Sequence, residues 1–502
     1  MRAYHKKNMR IISILTVCVM AFGLCGCRLI YRDTEKEVVS VTYETVPVAP
    51  GEATGGETVP GESTDHTDPQ GGNGSGSAET PEGNKTGTGT GTEGKKAEEK
   101  KLSGKLEVQI FTNESQTSNE GWTKVINAFE KATGVQVTAV IGSQVNTQMS
   151  TRWMNNNPPD FVWIDGAGIP DAVYRDSGKF ADITSILTDG NVYGTDTKIS
   201  SVIDQGTLVR YDGTYYYAPI MMATHGVWYD AAYLKTLGIS VPTNYDEFVE
   251  ASQKAVAAGT AAFTYPGQYT NYCFGGLIMP AIAAYGQSYL DSVLNGEASA
   301  FTDSRMTSIL TRYRDYCTTS GNVLSGTTTM DHTTSQVRWL SHKALFITNG
   351  LWLADEVRKS TPAAFDMDYV TSPLIEKGQN QTAVFYAKSA AIASNAKNKE
   401  NAEAFLRFLY TEEAQKALMS SFGYMSARKD IPYTAASGSM TPAAARALQY
   451  VNSGNVTVIY MHDNWGDVGE VFYNQINALT DGRITVQKAQ EAMKKACEEY
   501  KR

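Results

Sequence analysis

The pattern of apolar and polar positions divides the chain into three stretches. From Ile11 to Leu24 the residues are largely apolar, behind a basic head of Arg2, Lys6, Lys7 and Arg10. Residues 28–104 show almost no apolar periodicity. From Lys105 onward, strand and helix periods alternate. "LEVQIF" (106–111) puts Leu106, Val108 and Ile110 on one face of a strand. "GWTKVINAFEKATG" then spaces Trp122, Val125, Ile126 and Phe129 as one face of a helix, with Gly134 as its C-cap. "VQVTAVI" and "DFVWID" read as the next two strands, with a helical pattern between them. Strand, helix and strand at this spacing predict parallel pairing and an α/β fold class.

"YYYAPIMMATHGVWYD" (215–230) reads as one extended stretch with Pro219 near its start. A helix follows, with Thr243 as the expected cap, Asp246 at the third position, and Phe248, Val249 and Ser252 along its buried face. "KALFITNGLW", "FDMDYVTSPL" and "TAVFYAKSAAIAS" read as further strands. "NKENAEAFLRFLYTEEAQKALMSSFG" carries two amphipathic helices, with Phe405, Leu406, Leu409, Ala414, Leu418 and Phe422 facing the core. The roughly 400 residues beyond 104 exceed what one core usually serves, so two lobes are expected. No internal repeat is visible.

The first two stretches decide where the protein works. Fourteen residues rise about 21 Å as a helix, short of a bilayer core of about 30 Å, so Ile11–Leu24 reads as the core of a secretory signal. Leu24-Cys25-Gly26-Cys27 resembles the lipobox of bacterial lipoproteins. That resemblance implies removal of residues 1–26 and acylation of Cys27, which becomes the N-terminus anchored in the bilayer. Between Gly51 and Gly94 there are 13 glycines and no aromatic residue. Such a segment buries too little surface to offset its ordering entropy, so residues 27–104 are expected to be a disordered tether of roughly 50 Å reach. The expected location is the extracytoplasmic face of the bacterial cytoplasmic membrane.

Composition removes several function classes. The formal net charge is −9, and no dense basic stretch lies outside the signal and the short "GKKAEEKK" spacer, which argues against nucleic acid and against a membrane-surface patch. Beyond the anchor, Cys273, Cys317 and Cys497 are an odd number, far apart, and imply no disulfide framework. The six histidines are scattered, so no structural zinc site and no cofactor is expected. No HExxH, P-loop or dinucleotide-binding GxGxxG motif occurs: the GxGxxG spacing of Gly89–Gly94 lies in the tether, with no strand pattern before it.

Four segments together look like one family. "NPPDFVWIDGAGIPDAVYRDSGKFADITSIL", "YDGTYYYAPI…GVWYDAAYLKTLGISVPTNYDEF", "SAAIASNAKNKENAEAFLRFLYTEEAQKAL" and "ALTDGRITVQKAQEAM" occur in this order. On them the chain resembles the extracellular solute-binding proteins of ABC importers, in the subgroup similar to maltose-binding protein. The resemblance runs from about residue 105 to the C-terminus. It implies a periplasmic-binding-protein-like type II fold of two α/β lobes with a ligand cleft between them. Lobe 1 would comprise residues 105–221 and 388–430, and lobe 2 residues 222–387 and 431–502. Hinge crossings are expected near Ile220–Thr224, Tyr386–Lys388 and Asp430. The implied partners are a carbohydrate, the ABC permease subunits with their cytoplasmic ATPase, and the lipid bilayer through Cys27. The protein is expected to act as a monomer, without catalysis.

A sugar ring has a C–H face that stacks on aromatic rings and a rim of hydroxyls that carboxylates and amides bind. The 28 tyrosines and seven tryptophans suit that chemistry. By the resemblance, Trp352 and Trp465 fall in register with tryptophans that stack on sugar. Asp165, on a glycine-relaxed strand end, and Asn113 and Glu114, after the first strand, are candidates for hydroxyls. Trp163, His225, Tyr269, Asn271 and Tyr272 complete the candidate set. At the crossing, where maltose-binding protein places a ligand-binding glutamate, this chain reads Met222-Ala223-Thr224. That departure speaks against maltose and leaves carbohydrate intact. The same clamp holding a polyamine, a peptide or ferric iron is the alternative, with a secreted glycosidase or a surface sensor behind it. Tyrosines 215–217 alternate faces on a strand, so at most two could share an iron.

Overall fold

The computed structural model describes residues 99–112, 116–166, 169–431, 441–461 and 466–499. All fall in the compact unit that runs from Gly89 to Arg502. Cys27, the signal and most of the tether lie outside the described residues.

The first lobe is built as its sequence period predicts. Strand β1 (Lys105–Phe111) lies between β2 (Gln136–Gly142) and β3 (Phe161–Ile164), parallel to both. Leu106, Val108 and Ile110 are fully buried. The helix Gln116–Thr133 lays Trp122, Val125, Ile126 and Phe129 onto this sheet. Phe129 meets Phe405 and Phe408 edge-on, at ring-centroid distances of 5.0 and 5.5 Å. Those two residues belong to the helix Lys399–Leu409, which is followed by Glu412–Phe422 with Ala414 and Leu418 inward.

Two long strands bring the lobes together. β4 (Ala218–Asp230) is buried along all its length. Its first half, Ala218–Thr224, pairs antiparallel with β8 (Thr382–Ile392). Its second half pairs with β6 (Ala344–Gly350) and β7 (Met367–Val370). The exchange of partners falls between Thr224 and His225, and the Thr224 hydroxyl donates to the Val384 carbonyl at 2.7 Å. β8 likewise pairs with β3 through Ser389–Ile392 and with β10 (Thr457–Tyr460) through Thr382–Phe385. β5 (Ala261–Thr264) lies beside β6, and the short β9 (Met425–Ser426) beside β4. A register shift between Pro219 and Met221 leaves Ile220 bulged, and its carbonyl accepts from the Ala427 backbone and the Gln415 amide instead.

One core, from Leu102 to Ala223 and from Ala390 to Ile431, and a smaller one around Trp153, Tyr174 and Phe180 fill the first lobe. Two others fill the second, one reaching from Val227 to Cys497 and one around Trp228, Trp339 and Leu448. Two details differ from the sequence reading. Asn244 caps the helix Tyr245–Ala257, accepting the Glu247 N–H, while Thr243 donates to the Glu247 carboxylate from outside the helix. The packed part also begins before Lys105: Leu102 is buried and Arg407 pairs with Glu99. No described helix is long and apolar enough to cross a membrane.

The second lobe packs tightly against β4. A Cβ on Gly226 would stand 2.3 Å from Cζ and Oη of Tyr369, a buried ring whose hydroxyl donates to the His225 carbonyl at 3.0 Å. Gly226→Ala is therefore expected to cost about 1–3 kcal/mol through overpacking, a loss of roughly 1–4 °C in Tm for a chain this size. Calorimetry checks this, and an unchanged Tm would show that the ring gives way freely.

Candidate functional site

Between the lobes lies a cleft of about 910 Å³. Phe111 and Thr112 border it from the end of β1, and Asp165 and Gly166 from the end of β3. His225 on β4 and Tyr386 and Lys388 on β8 line it where the shared strands cross. Tyr269, Asn271, Tyr272, Trp352 and Tyr424 close it from segments that follow or precede strands. Ligands in α/β folds collect at such strand ends, where loops supply side chains on a rigid frame. Among the described residues no group of three or more His, Cys, Asp or Glu could hold a metal ion.

Asp165 is held on both sides. Its Oδ1 accepts the Gly166 N–H at 2.8 Å and forms an ion pair with Lys388, both side chains being largely buried. A chain of amides fixes the backbone beneath it. The Asp165 carbonyl accepts from Asn146, Asn146 from Gln109, and Gln109 from the Trp153 indole, each at 2.8 Å. Gly166 has φ +74°, and a Cβ there would meet the Phe111 ring at 2.3 Å. Glycine is required at that turn.

Trp352 is the hub of the aromatic wall. His225, Tyr424 and Tyr272 meet it edge-on, with centroids 5.2, 5.7 and 5.9 Å away. Gly350 makes room for it, since a Cβ there would come within 2.2 Å of the indole. Tyr386 stacks on His225 at 5.4 Å and 18°. His225 is 6% exposed, and neither ring nitrogen has a hydrogen-bond partner among the described residues. Burial first, and the Lys388 charge second, push its pKa down to about 3, so the imidazole is neutral. Asp355, one turn past Trp352, also has a buried carboxylate oxygen, Oδ2, without a partner among the described residues. Burial raises its pKa.

The structure gathers Asp165, His225, Tyr269, Asn271, Tyr272 and Trp352 around one cleft. Tyr269 stands at its mouth, 43% exposed and stacked on His332 at 4.1 Å. Trp163 is a correction. It is 1% exposed and packs edge-on against Trp122 at 5.2 Å, in the core behind the cleft, because its strand turns that residue inward. Asn113, Glu114 and Trp465 lie outside the described residues. Sequence reasoning passed over Lys388, Tyr424 and Asp355 as site residues, and took Tyr386 for a hinge residue only. Tyr386 and Lys388 stand two apart on a strand and so share a face, a period-2 signal that was available. Nothing local marked Tyr424 or Asp355.

His225 generates a pH dependence. Its pKa in the folded chain lies below the ordinary 6.5, so the native state is favoured while the imidazole is neutral, and that advantage is lost as pH falls from about 6.5 towards 3. Between pH 7 and 5 the loss from this group is about 2 kcal/mol, or roughly 2–3 °C in Tm. His225→Leu is expected to remove that part of the slope. Equal slopes in thermal melts at pH 7 and 5 would contradict the assignment.

The bacterial extracellular solute-binding protein family model matches residues 113–416. The diacetylchitobiose binding protein NgcE of Streptomyces coelicolor is 24% identical over 258 residues, 50% of this chain and 52% of its own length. The chain thus spans about half of that relative. The multiple sugar-binding protein of Streptococcus mutans is 22% identical over 328 residues, 62% of this chain and 73% of its own. A solved chitin oligosaccharide binding protein superposes with a TM-score of 0.60 at 18% identity, covering 78% of this chain and 98% of that one. That likeness shows the fold, a type II clamp of two α/β lobes. With the family model matching well over half of its length, the chain belongs to the bacterial extracellular solute-binding proteins.

Proposed function

We propose that the protein is the substrate-binding component of an ABC importer, which takes a carbohydrate, an oligosaccharide in particular, into the interlobe cleft and hands it to a membrane permease. The observation that carries this reading is the pairing of an aromatic wall centred on Trp352 with a fixed carboxylate, Asp165, on the same cleft. An indole and three phenol rings offer faces for sugar C–H groups, while Asp165, Asn271 and the orphaned His225 and Asp355 atoms offer hydrogen bonds to a hydroxyl rim. Two relatives, a diacetylchitobiose binding protein and a multiple sugar-binding protein, support the same class. A volume of about 910 Å³ has room for more than one ring. The lobes are taken to close by bending near Ile220–Thr224, Tyr386–Lys388 and Asp430, and Trp465 is kept as a second stacking residue. No covalent step is assigned, and the protein is taken to be a monomer.

A thermal-shift screen of mono- and oligosaccharides, with peptides, spermidine and ferric citrate alongside, tests the class. A ligand at about 100 times its Kd adds about 2.7 kcal/mol, a rise of about 3 °C for a chain this size. A shift with one sugar family is the expected outcome, and Trp352→Ala should weaken that sugar roughly tenfold or more. A shift with only spermidine, peptide or iron would overturn the cargo.

The anchor has its own check. Cys27→Ala is expected to move the protein from the detergent phase to the aqueous phase in detergent partitioning and to release it into the medium. Retention with the membrane would contradict acylation at Cys27.

A further inference from the structure

The Lys388 ammonium occupies an unusual place. Its Nζ lies 5.5 Å from the ring centroid of Tyr386, 5.7 Å from that of Trp352 and 5.8 Å from that of Tyr424. Asp165 pairs with it from the end of the neighbouring strand β3, and the Lys388 side chain is 16% exposed. Three rings within about 6 Å and one carboxylate are the components of a cage for an organic cation. Here the cation is the protein's own. It cannot drift away, because Lys388 is paired with Met221 in the middle of the shared strands.

Two consequences follow from the charge. An amine entering the cleft meets a positive charge where it would bind, and finds the carboxylate engaged. A hydroxyl donor meets no such obstacle: Oδ1 of Asp165 holds the ammonium and the Gly166 N–H, while Oδ2 carries no bond among the described residues. Nearby His225 is uncharged and offers a cation no repulsion of its own, so the exclusion rests on one side chain.

We infer that Lys388 is a specificity-determining residue of this cleft, a built-in cation that fills the cage and so reserves the site for neutral polyhydroxylated ligands while excluding amines and polyamines. The inference rests on the carbohydrate reading for what is admitted, but on the cage geometry alone for what is excluded.

The test is calorimetric titration of the full chain and its Lys388→Met variant with n-butylammonium, tetramethylammonium and spermidine, together with the sugar that the screen selects. Lys388→Met is expected to bind the alkylammonium ions roughly tenfold or more tighter than the wild type. The gain should vanish in the Lys388→Met, Asp165→Asn double variant, and Lys388→Arg should stay closed to cations. Lys388→Met empties the cage beside Asp165 and is expected to weaken the sugar, and n-butylammonium should restore part of that affinity, a rescue that a merely structural lysine would not show. Wild-type binding of these cations as tight as the variant's would overturn the inference. So would a folded Lys388→Met that gains none, with Lys388→Gln as the second variant should Met prevent folding. If no sugar binds the wild type, the carbohydrate reading fails, while the cation gain in Lys388→Met still decides the role of Lys388.

Discussion

The antiparallel pairing of β4 with β8 is the constraint on which the rest of the structure depends. Each strand changes partners partway, β4 from β8 to β6 and β7, and β8 from β10 to β3. Neither lobe can complete its sheet without a strand that the other lobe also uses. β4 is buried along its length and Ala218–Thr224 is paired with β8, so the crossing is held by backbone hydrogen bonds that are costly to break. Ile220, where that ladder shifts register, keeps its carbonyl satisfied by Gln415 and Ala427.

This frame explains why the cleft is polar at one point and aromatic at another. His225, Tyr386 and Lys388 lie on the crossing strands, so their positions relative to both lobes are set by register. Asp165 comes from the first lobe and meets Lys388 from the crossing, which fixes a negative and a positive group beside a wall of rings. The relay from Trp153 through Gln109 and Asn146 holds the Asp165 loop from behind. A site fixed in this way loses little freedom when a ligand arrives. The His225 and Asp355 atoms without a partner among the described residues are the exceptions, and both residues line the cleft.

Cleft residues and core residues share a composition in this protein, which limited what could be read from local pattern. Trp163 and Trp352 both stand near strand ends and are flanked on each side by an apolar residue. One packs against Trp122 behind the sheet; the other is held over the cleft by the absence of a side chain on Gly350. Lys388 looked like one polar residue at a crossing, because a lysine in a strand carries no local sign of the three rings that surround it.

The sequence by itself determined the α/β elements, the parallel pairing of the first three strands, the two amphipathic helices around Phe405 and Leu418, and the family. Those depend on period, caps and short-range spacing, which the chain writes locally. It also placed Asp165, Tyr272 and Trp352 in the candidate set. Only the tertiary structure decided that Tyr386, Lys388, Tyr424 and Asp355 belong with them, that Trp163 does not, and that Met222-Ala223-Thr224, the crossing stretch, is buried in the sheet. These are facts of register between strands more than 150 residues apart, and of which side of a sheet a ring falls on. A one-residue slip would reverse them without changing any local pattern.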